Sequence, residues 1–373
     1  MASENPVVVV LGSTGNQGRG VLRSLLREVS PAWHVRAVTR NVGSPAAQEL
    51  LKNFQTPDKR LSLQAGDLYD LASLEDAFSG AYGVFAVTNE VADKIIENEE
   101  DMKHELQAGK NIVAAAKTCN VKHFVLSSLP NMKQVTSGRF QKIFHMDHKS
   151  IIEQWAKDEL SAVTCLIPGK YYYLEYKHSV FVALKIAYVN TRLPTGLFFT
   201  NLNRPQYCRR EGQTHAAMSS ISSNLEAENG VVRFCTPIPA TQLIEWVDPE
   251  HDMGIFAARV FALGTTMMNG KSYFVGSKKL RMEDLASTFT QHTGQPAIYD
   301  PITIDEWADM ASRAVGPGFK EDIRQMIQWF SIIPEDKRCY GALDLADDVA
   351  LEELGLEASS FEDWLKRSNW TGP

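Results

Sequence analysis

The first half of the chain repeats one pattern: a short, largely apolar run followed by enough sequence for a single helix. The runs lie at 7–11, 34–38, 61–64, 83–87, 123–126 and 163–167. Because most of them lack a continuous polar face, they predict strands buried on both sides, and the segments between them predict crossover helices. The fold class expected is therefore α/β with a doubly wound parallel sheet. At 373 residues and 44% hydrophobic content, the chain has material for a substantial core. Its 38 basic and 45 acidic residues give a net charge of -7 without long blocks of one sign. That distribution offers no footprint for nucleic acid, so a small-molecule partner is expected. "MASENP" is too short and polar for a signal peptide, and no apolar stretch reaches the roughly 18 residues that span a bilayer. The expectation is a cytosolic protein without membrane attachment, with access to the nucleus left open.

"VVVVLGSTGNQGRG" joins the first strand to the first helix through Gly12, Gly15 and Gly18, with Gly15 and Asn16 opening the helix. Glycines in such a turn let the backbone approach a pyrophosphate seated on the helix N-terminus. The dinucleotide is then chosen at the end of the second strand, where a carboxylate suits the 2′-hydroxyl of NAD and an arginine the 2′-phosphate of NADP. "HVRAVTRN" carries no carboxylate there, and Arg40 is the expected phosphate contact, which predicts NADP(H) as cofactor. In "QAGDLYD", Asp67 is placed to accept from an adenine amino group and Leu68 to pack on the ring, while Thr88 and Asn89 follow the fourth strand beside the nicotinamide half.

Ser73 is expected to cap "SLEDAF", with Asp76 three residues on and Gly80 closing that helix. The stretch 93–119 starts heavily charged, read as a solvated helix face, and ends in the apolar "NIVAAAKTC". Beyond 167 the rhythm is lost. Residues 200–230, polar and rich in serine, read as an irregular insertion or loop over the site. "VVRFC" and "KSYFVG" read as strands, Asp248 and Pro249 as an N-cap and first turn, and three or four amphipathic helices end the chain. The division expected is a cofactor-binding domain over 1–167 and a smaller lobe over 168–373, with about 242–263 returning to the first domain. Five cysteines stand singly and read as reduced packing residues. Asp248, Glu250, His251 and Asp252 cluster in sequence, yet Asp248 reads as a cap and no metal is expected.

The turn G12-S-T-G-N-Q-G18, which includes Thr14 and Gln17, together with "VTRN", "GDLYDLASLEDAFSGAYGVFAVT", "FVLSSLPN" and "EWVDPEHDMG", resembles the NmrA-like group of atypical short-chain dehydrogenase/reductases. The resemblance covers most of the chain and is weakest across roughly 190–230. It implies an NADP-preferring Rossmann domain, a small mixed α/β C-terminal lobe and a cleft between them. The group includes reductases and non-catalytic redox sensors. Short-chain dehydrogenases set a tyrosine four residues before a lysine; the lysine lowers the tyrosine pKa and binds the ribose, and the tyrosine passes a proton. In "FQKIFHMDHKSIIEQWAKD", Lys149 stands where that lysine belongs, and His145 occupies the tyrosine position. A histidine also exchanges protons at neutral pH, so Lys149 and His145 are the catalytic candidates. Ser127 and Ser128, at the end of a strand, are candidates to bind a substrate carbonyl. The resemblance puts a substrate wall in "PGKYYYLEY", where Tyr171 and Tyr173 are the candidate contacts. The function expected is NADPH-dependent reduction of a carbonyl, imine or conjugated double bond in a small organic molecule. The alternative is an NADP(H)-sensing regulator that acts through a protein partner.

Overall fold

The computed structural model describes residues 5–89, 95–169, 199–210, 230–313 and 315–373. The apolar runs form β1 (Val7–Val10), β2 (His34–Thr39), β3 (Leu61–Ala65), β4 (Gly83–Ala86), β5 (His123–Ser127) and β6 (Val163–Pro168). All pair in parallel, in the order β6, β5, β4, β1, β2, β3, and strand Ser272–Val275 extends the sheet beyond β6. The two-residue period of a strand divides the valines between the faces. Val8 and Val10 join one core with Val35, Phe85 and Val125. Val9 and Leu11 join another with Val84, Phe124 and Val163.

Seven helices position the site: α1 (Asn16–Arg27), α2 (Pro45–Phe54), α3 (Leu71–Phe78), α4 (His104–Thr118), α5 (Met132–Val135), α6 (Phe144–Glu159) and α7 (His251–Leu263). α1 and α7 supply side chains to the first core; α3, α4 and α6 supply them to the second. α1 and the start of α7 meet so closely that a Cβ on Gly20 would lie 1.7 Å from the Glu250 carbonyl oxygen. Only glycine fits that crossing. Asp248 caps this region as expected, its Oδ1 accepting from the backbone N–H of Glu250 and of His251, both at 3.2 Å.

Three expectations are corrected. Ser73 does not cap α3. Asp70, a charged acceptor, takes the N–H groups of Ala72 and Ser73, while Ser73 Oγ accepts from the Asp67 N–H at 2.9 Å. Residues 199–210 are not a loop over the site. They form a 3-10 turn, Phe199–Asn203, and strand Cys208–Arg210, which pairs antiparallel with Val232–Phe234. The cause is aromatic burial: Phe199 stacks on Trp246 at 5.6 Å and on Trp364 at 5.5 Å, deep in the lobe's core. The rest of that segment, 211–229, lies outside the described residues. Finally, the strand read in "KSYFVG" belongs to the main sheet rather than the smaller lobe, because its apolar Tyr273 and Val275 complete the core beside β6.

The smaller lobe has its own core, built from Trp307, Phe319, Ile323, Phe330 and Trp364 among others. It sits at the carboxyl edge of the sheet, where the Tyr340 hydroxyl donates to the Pro168 carbonyl at the end of β6 at 2.7 Å. Among the described residues, no helix is long and apolar enough to cross a membrane.

Candidate cofactor and reaction site

β1 leads through α1 to β2 on one side, whereas α3 carries the chain back across β1 to β4 on the other. The connections diverge between β1 and β4, and a crevice opens there at the carboxyl ends, the place where doubly wound sheets take their ligands. The glycine turn occupies this crevice. Gly12 has φ +63, its carbonyl accepts from Gly15 N–H at 2.8 Å, and a Cβ on Gly18 would fall 2.2 Å from that same oxygen. Buried Ser13 ties the turn to the next strand by donating to the Val38 carbonyl at 2.8 Å.

Two observations test whether a dinucleotide suits this turn. Gly15 supplies no side chain to cap α1, and the helix has no acidic residue in its first turn, so its N-terminal amides remain open to an anion. Gln17, 3% exposed, has both the oxygen and the nitrogen of its amide buried without a partner. Such groups are expected to find polar partners, and a bound ligand supplies them. The turn therefore fits the group the sequence implied.

The other sequence candidates fall along the same edge in strand order. Arg40, exposed, is one residue past β2. Beyond β3, Asp67 Oδ1 accepts from the Tyr69 N–H at 3.0 Å, and Leu68 packs against the second core. Tyr69 Oη pairs with His104 Nδ1 at 2.6 Å. Its phenol is pushed up to about 12 by burial, with Glu105 and Asp67 adding to the rise and Arg40 opposing it. Arg40, Asp67 and Tyr69 thus share one electrostatic neighbourhood. Thr88 and Asn89 follow β4, and Thr88 is buried. Ser127 ends β5 and Ser128 follows; both are buried, and the Ser128 hydroxyl faces the Lys149 carbonyl on α6 at 3.4 Å instead of open space. Tyr171 and Tyr173 lie outside the described residues.

Lys149 is 2% exposed. Its ammonium pairs with Glu105 Oε1 and donates to Thr88 Oγ1 at 3.2 Å and to the Thr88 carbonyl at 3.5 Å. Thr88 Oγ1 in turn donates to Glu105 Oε1 at 2.5 Å. Burial pushes the Glu105 carboxyl up, but the charge and hydrogen bond of Lys149, with the hydrogen bond of Thr88, outweigh it and hold the group below the ordinary glutamate range. The charged half of 93–119, expected to be a solvated helix face, is exposed at Glu97, Glu100, Asp101 and Lys103, but Glu105 departs from that expectation. It occupies the buried stripe of α4 with Ala108, Gly109, Ile112, Val113 and Ala116, a carboxylate in register with an apolar face. That register was the available signal, hidden by the charged residues around it.

His145 is also committed. Its Nδ1 pairs with Asp322 Oδ1 at 2.5 Å and its backbone N–H donates to Asp322 Oδ2 at 3.1 Å. Asp322, fully buried on helix Lys320–Phe330, comes from the smaller lobe, so this pair clamps the lobe to the start of α6. Nothing in the sequence near Asp322 announces that role. Its partner stands 177 residues away. In "EWVDPEHDMG", Asp252 Oδ1 takes the Ser359 hydroxyl at 2.6 Å and Asp248 Oδ2 takes Arg367 at 2.7 Å. Among the described residues, no group of three or more His, Cys, Asp and Glu is arranged to hold a metal ion.

Fold and site define a protein of the Rossmann class with a second lobe over the dinucleotide edge. A model described as "NmrA-like family" matches residues 4–185. The NmrA-like family domain-containing oxidoreductase lnaB of Aspergillus flavus is 34% identical over 375 residues, covering 98% of this chain and 98% of that protein. The chain belongs to the NmrA-like family. Among solved structures, NmrA, a negative transcriptional regulator in complex with NAD, matches with a TM-score of 0.66 at 16% identity over 97% of this chain and 94% of that one. The NADPH-dependent quinone oxidoreductase QOR2 of Escherichia coli, complexed with NADPH, matches with a TM-score of 0.62 at 17% identity over 98% and 100%. At these identities the two likenesses speak to the fold.

Proposed function

We propose that the protein is an NADP(H)-dependent oxidoreductase that reduces a carbonyl, imine or conjugated double bond of a small organic substrate, aromatic ones included. The observation that carries this reading is the buried Lys149–Glu105–Thr88 cluster just beyond the end of β4. A cluster of buried charge is expensive to maintain for structure alone. It is joined by the name of a full-length relative, an oxidoreductase.

In this reading the open amides of Asn16, Gln17 and Gly18 receive the pyrophosphate, with Gly12, Thr14 and Gly15 shaping the turn. Arg40 holds the 2′-phosphate through charge-assisted hydrogen bonds, and Asp67 and Leu68 take the adenine. Thr88, Asn89 and Lys149 hold the nicotinamide half. The bound cofactor supplies a hydride. Lys149 keeps its charge through Glu105 and presents a fixed cation to the ribose and to the oxygen of the group being reduced, where negative charge develops. Ser127, and Tyr171 or Tyr173 from the adjoining segment, are the proposed substrate contacts.

The test is the decay of NADPH absorbance with a panel of aromatic ketones, enones and cyclic imines, against Lys149→Ala. Turnover that the variant loses supports the reading. A second reading, an NADP(H)-sensing regulator, draws on the His145–Asp322 clamp, which ties up the residue at the family's tyrosine position and links cofactor edge to lobe. NADPH binding by calorimetry with no turnover of any panel member shifts the assignment to that reading.

A further inference from the structure

Both side chains expected to carry a proton are already committed. Lys149 has three ammonium hydrogens, and Glu105 Oε1, Thr88 Oγ1 and the Thr88 carbonyl offer three acceptors. Losing that proton strands the Glu105 carboxylate, 0% exposed, without its cation. His145 spends Nδ1 on Asp322 and holds the lobe in place.

His148 differs. Positions 145, 148 and 149 are related by three and four residues, so they share one face of α6. His148 is 6% exposed, its ring stacks on Phe144 with centroids 6.1 Å apart, and its Nδ1 is buried with no hydrogen-bond partner. A buried imidazole nitrogen without a partner calls for one. The charged and titratable groups acting on it are Glu105 from α4, Asp322 from helix Lys320–Phe330, and Lys149 and His145 from its own helix. Burial lowers its pKa; the two carboxylates oppose that shift, and Lys149 and His145 add to it.

We propose that His148 is the acid of this site: its Nδ1–H bonds to the oxygen or nitrogen of the group being reduced and hands over the proton, while Lys149 and His145 are positioning residues. The inference rests on the reductase reading. In the reduction of a ketone, the hydride electron pair forms the new C–H bond and the C=O π pair passes to oxygen. The proton leaves Nδ1 of the imidazolium to form O–H, NADPH is the reductant, and the neutral ring regains a proton from water. Since the acid is the cation, kcat/KM for reduction falls as pH rises through the lowered imidazole pKa.

The experiment compares wild-type protein, His148→Gln and His145→Gln with acetophenone, menadione and a dihydroisoquinoline as probes. NADPH affinity is measured separately by fluorescence titration. His148→Gln is expected to bind NADPH as wild type does, to lose about 100- to 10,000-fold in kcat, and to lose the pH dependence. His145→Gln keeps a pH dependence, with its midpoint moved up because one of the groups that lower the His148 pKa is gone. A readout independent of turnover is NMR of histidine-labelled protein loaded with NADP+: an imidazole titrating below the ordinary range persists in His145→Gln and is missing from His148→Gln. Equal turnover and pH profile in wild type and His148→Gln overturn the proposal and leave the reductase reading intact. NADPH binding without reduction of any probe by wild type overturns both. If His148→Gln does not fold, the wild-type titration decides: a His148 resonance that does not titrate in or below the ordinary imidazole range while the protein stays folded overturns the proposal.

Discussion

The two ends of the crevice are built by different means. At the β2–β3 end, Arg40 is exposed, Tyr69 is 47% exposed with the rest of its surface covered, Asp67 is half-buried, and the contacts among them are short in sequence or open to solvent. At the β4–β5 end, Thr88, Glu105, His148 and Lys149 are all buried and come from a strand end and two helices, with Asp322 of the lobe behind them. In the proposed function the first end recognises the cofactor, and its exposed contacts contribute little to stability. The second must be stable before it can react, because each charge there depends on a partner from another element.

The largest effect expected follows from breaking the buried end. Glu105→Leu leaves the Lys149 ammonium without its counter-ion and costs about 3–5 kcal/mol in urea unfolding, much of it regained in the double variant with Lys149→Met. A loss comparable to a surface substitution removes the distinction between the ends. The pH dependence has a definite sign. The folded-state pKa of Glu105 lies below its unfolded value, so its stabilisation is present above the ordinary glutamate range and is lost as pH falls through the lowered value. The pH-dependent part is absent in Glu105→Gln.

At the exposed end, Arg40→Glu is expected to remove about 1.5–3 kcal/mol of charge-assisted binding from NADP(H), a loss of roughly ten- to a hundredfold. Unfolding stability stays within about 0.5 kcal/mol. Equal loss for NAD(H) in the same titration sinks the assignment of Arg40 to the phosphate. Gly18→Ala tests the turn shared by both ends, since the new methyl must displace the Gly12 carbonyl. It should cost about 1–3 kcal/mol in stability and weaken NADP(H) and NAD(H) alike. The smallest change expected is Tyr69→Phe, about 0.5 kcal/mol or less by thermal melting, because the Tyr69–His104 hydrogen bond is exposed.

Legibility in the sequence follows the same division. The glycine turn, Arg40, Asp67 and Thr88 each follow a strand directly, so an apolar run and the residues after it were enough to find them. Lys149 was legible through its family position, though its partner was not. Glu105 was read as solvated because charged neighbours dominate that stretch, although its spacing to Ala108, Gly109 and Ile112 puts it on the buried stripe. Asp70 is the cap, although a serine followed by an acid three residues on is the more familiar pattern and points to Ser73. The strand Ser272–Val275 was seen, but its sheet was not, since one strand's composition does not say which edge it joins.

The sequence by itself determined the doubly wound sheet, the glycine turn between its first strand and helix, and the residues just beyond each strand, because these depend on periodicity and on local backbone geometry. Only the tertiary structure decided which charges are buried together. Glu105 with Lys149, and Asp322 with His145, are separated by 44 and 177 residues, and packing brings each pair out of water. A side chain's ionisation and freedom to react depend on that environment rather than on its neighbours in the chain, which is why Lys149 and His145 could be named from sequence while the carboxylates that hold them could not.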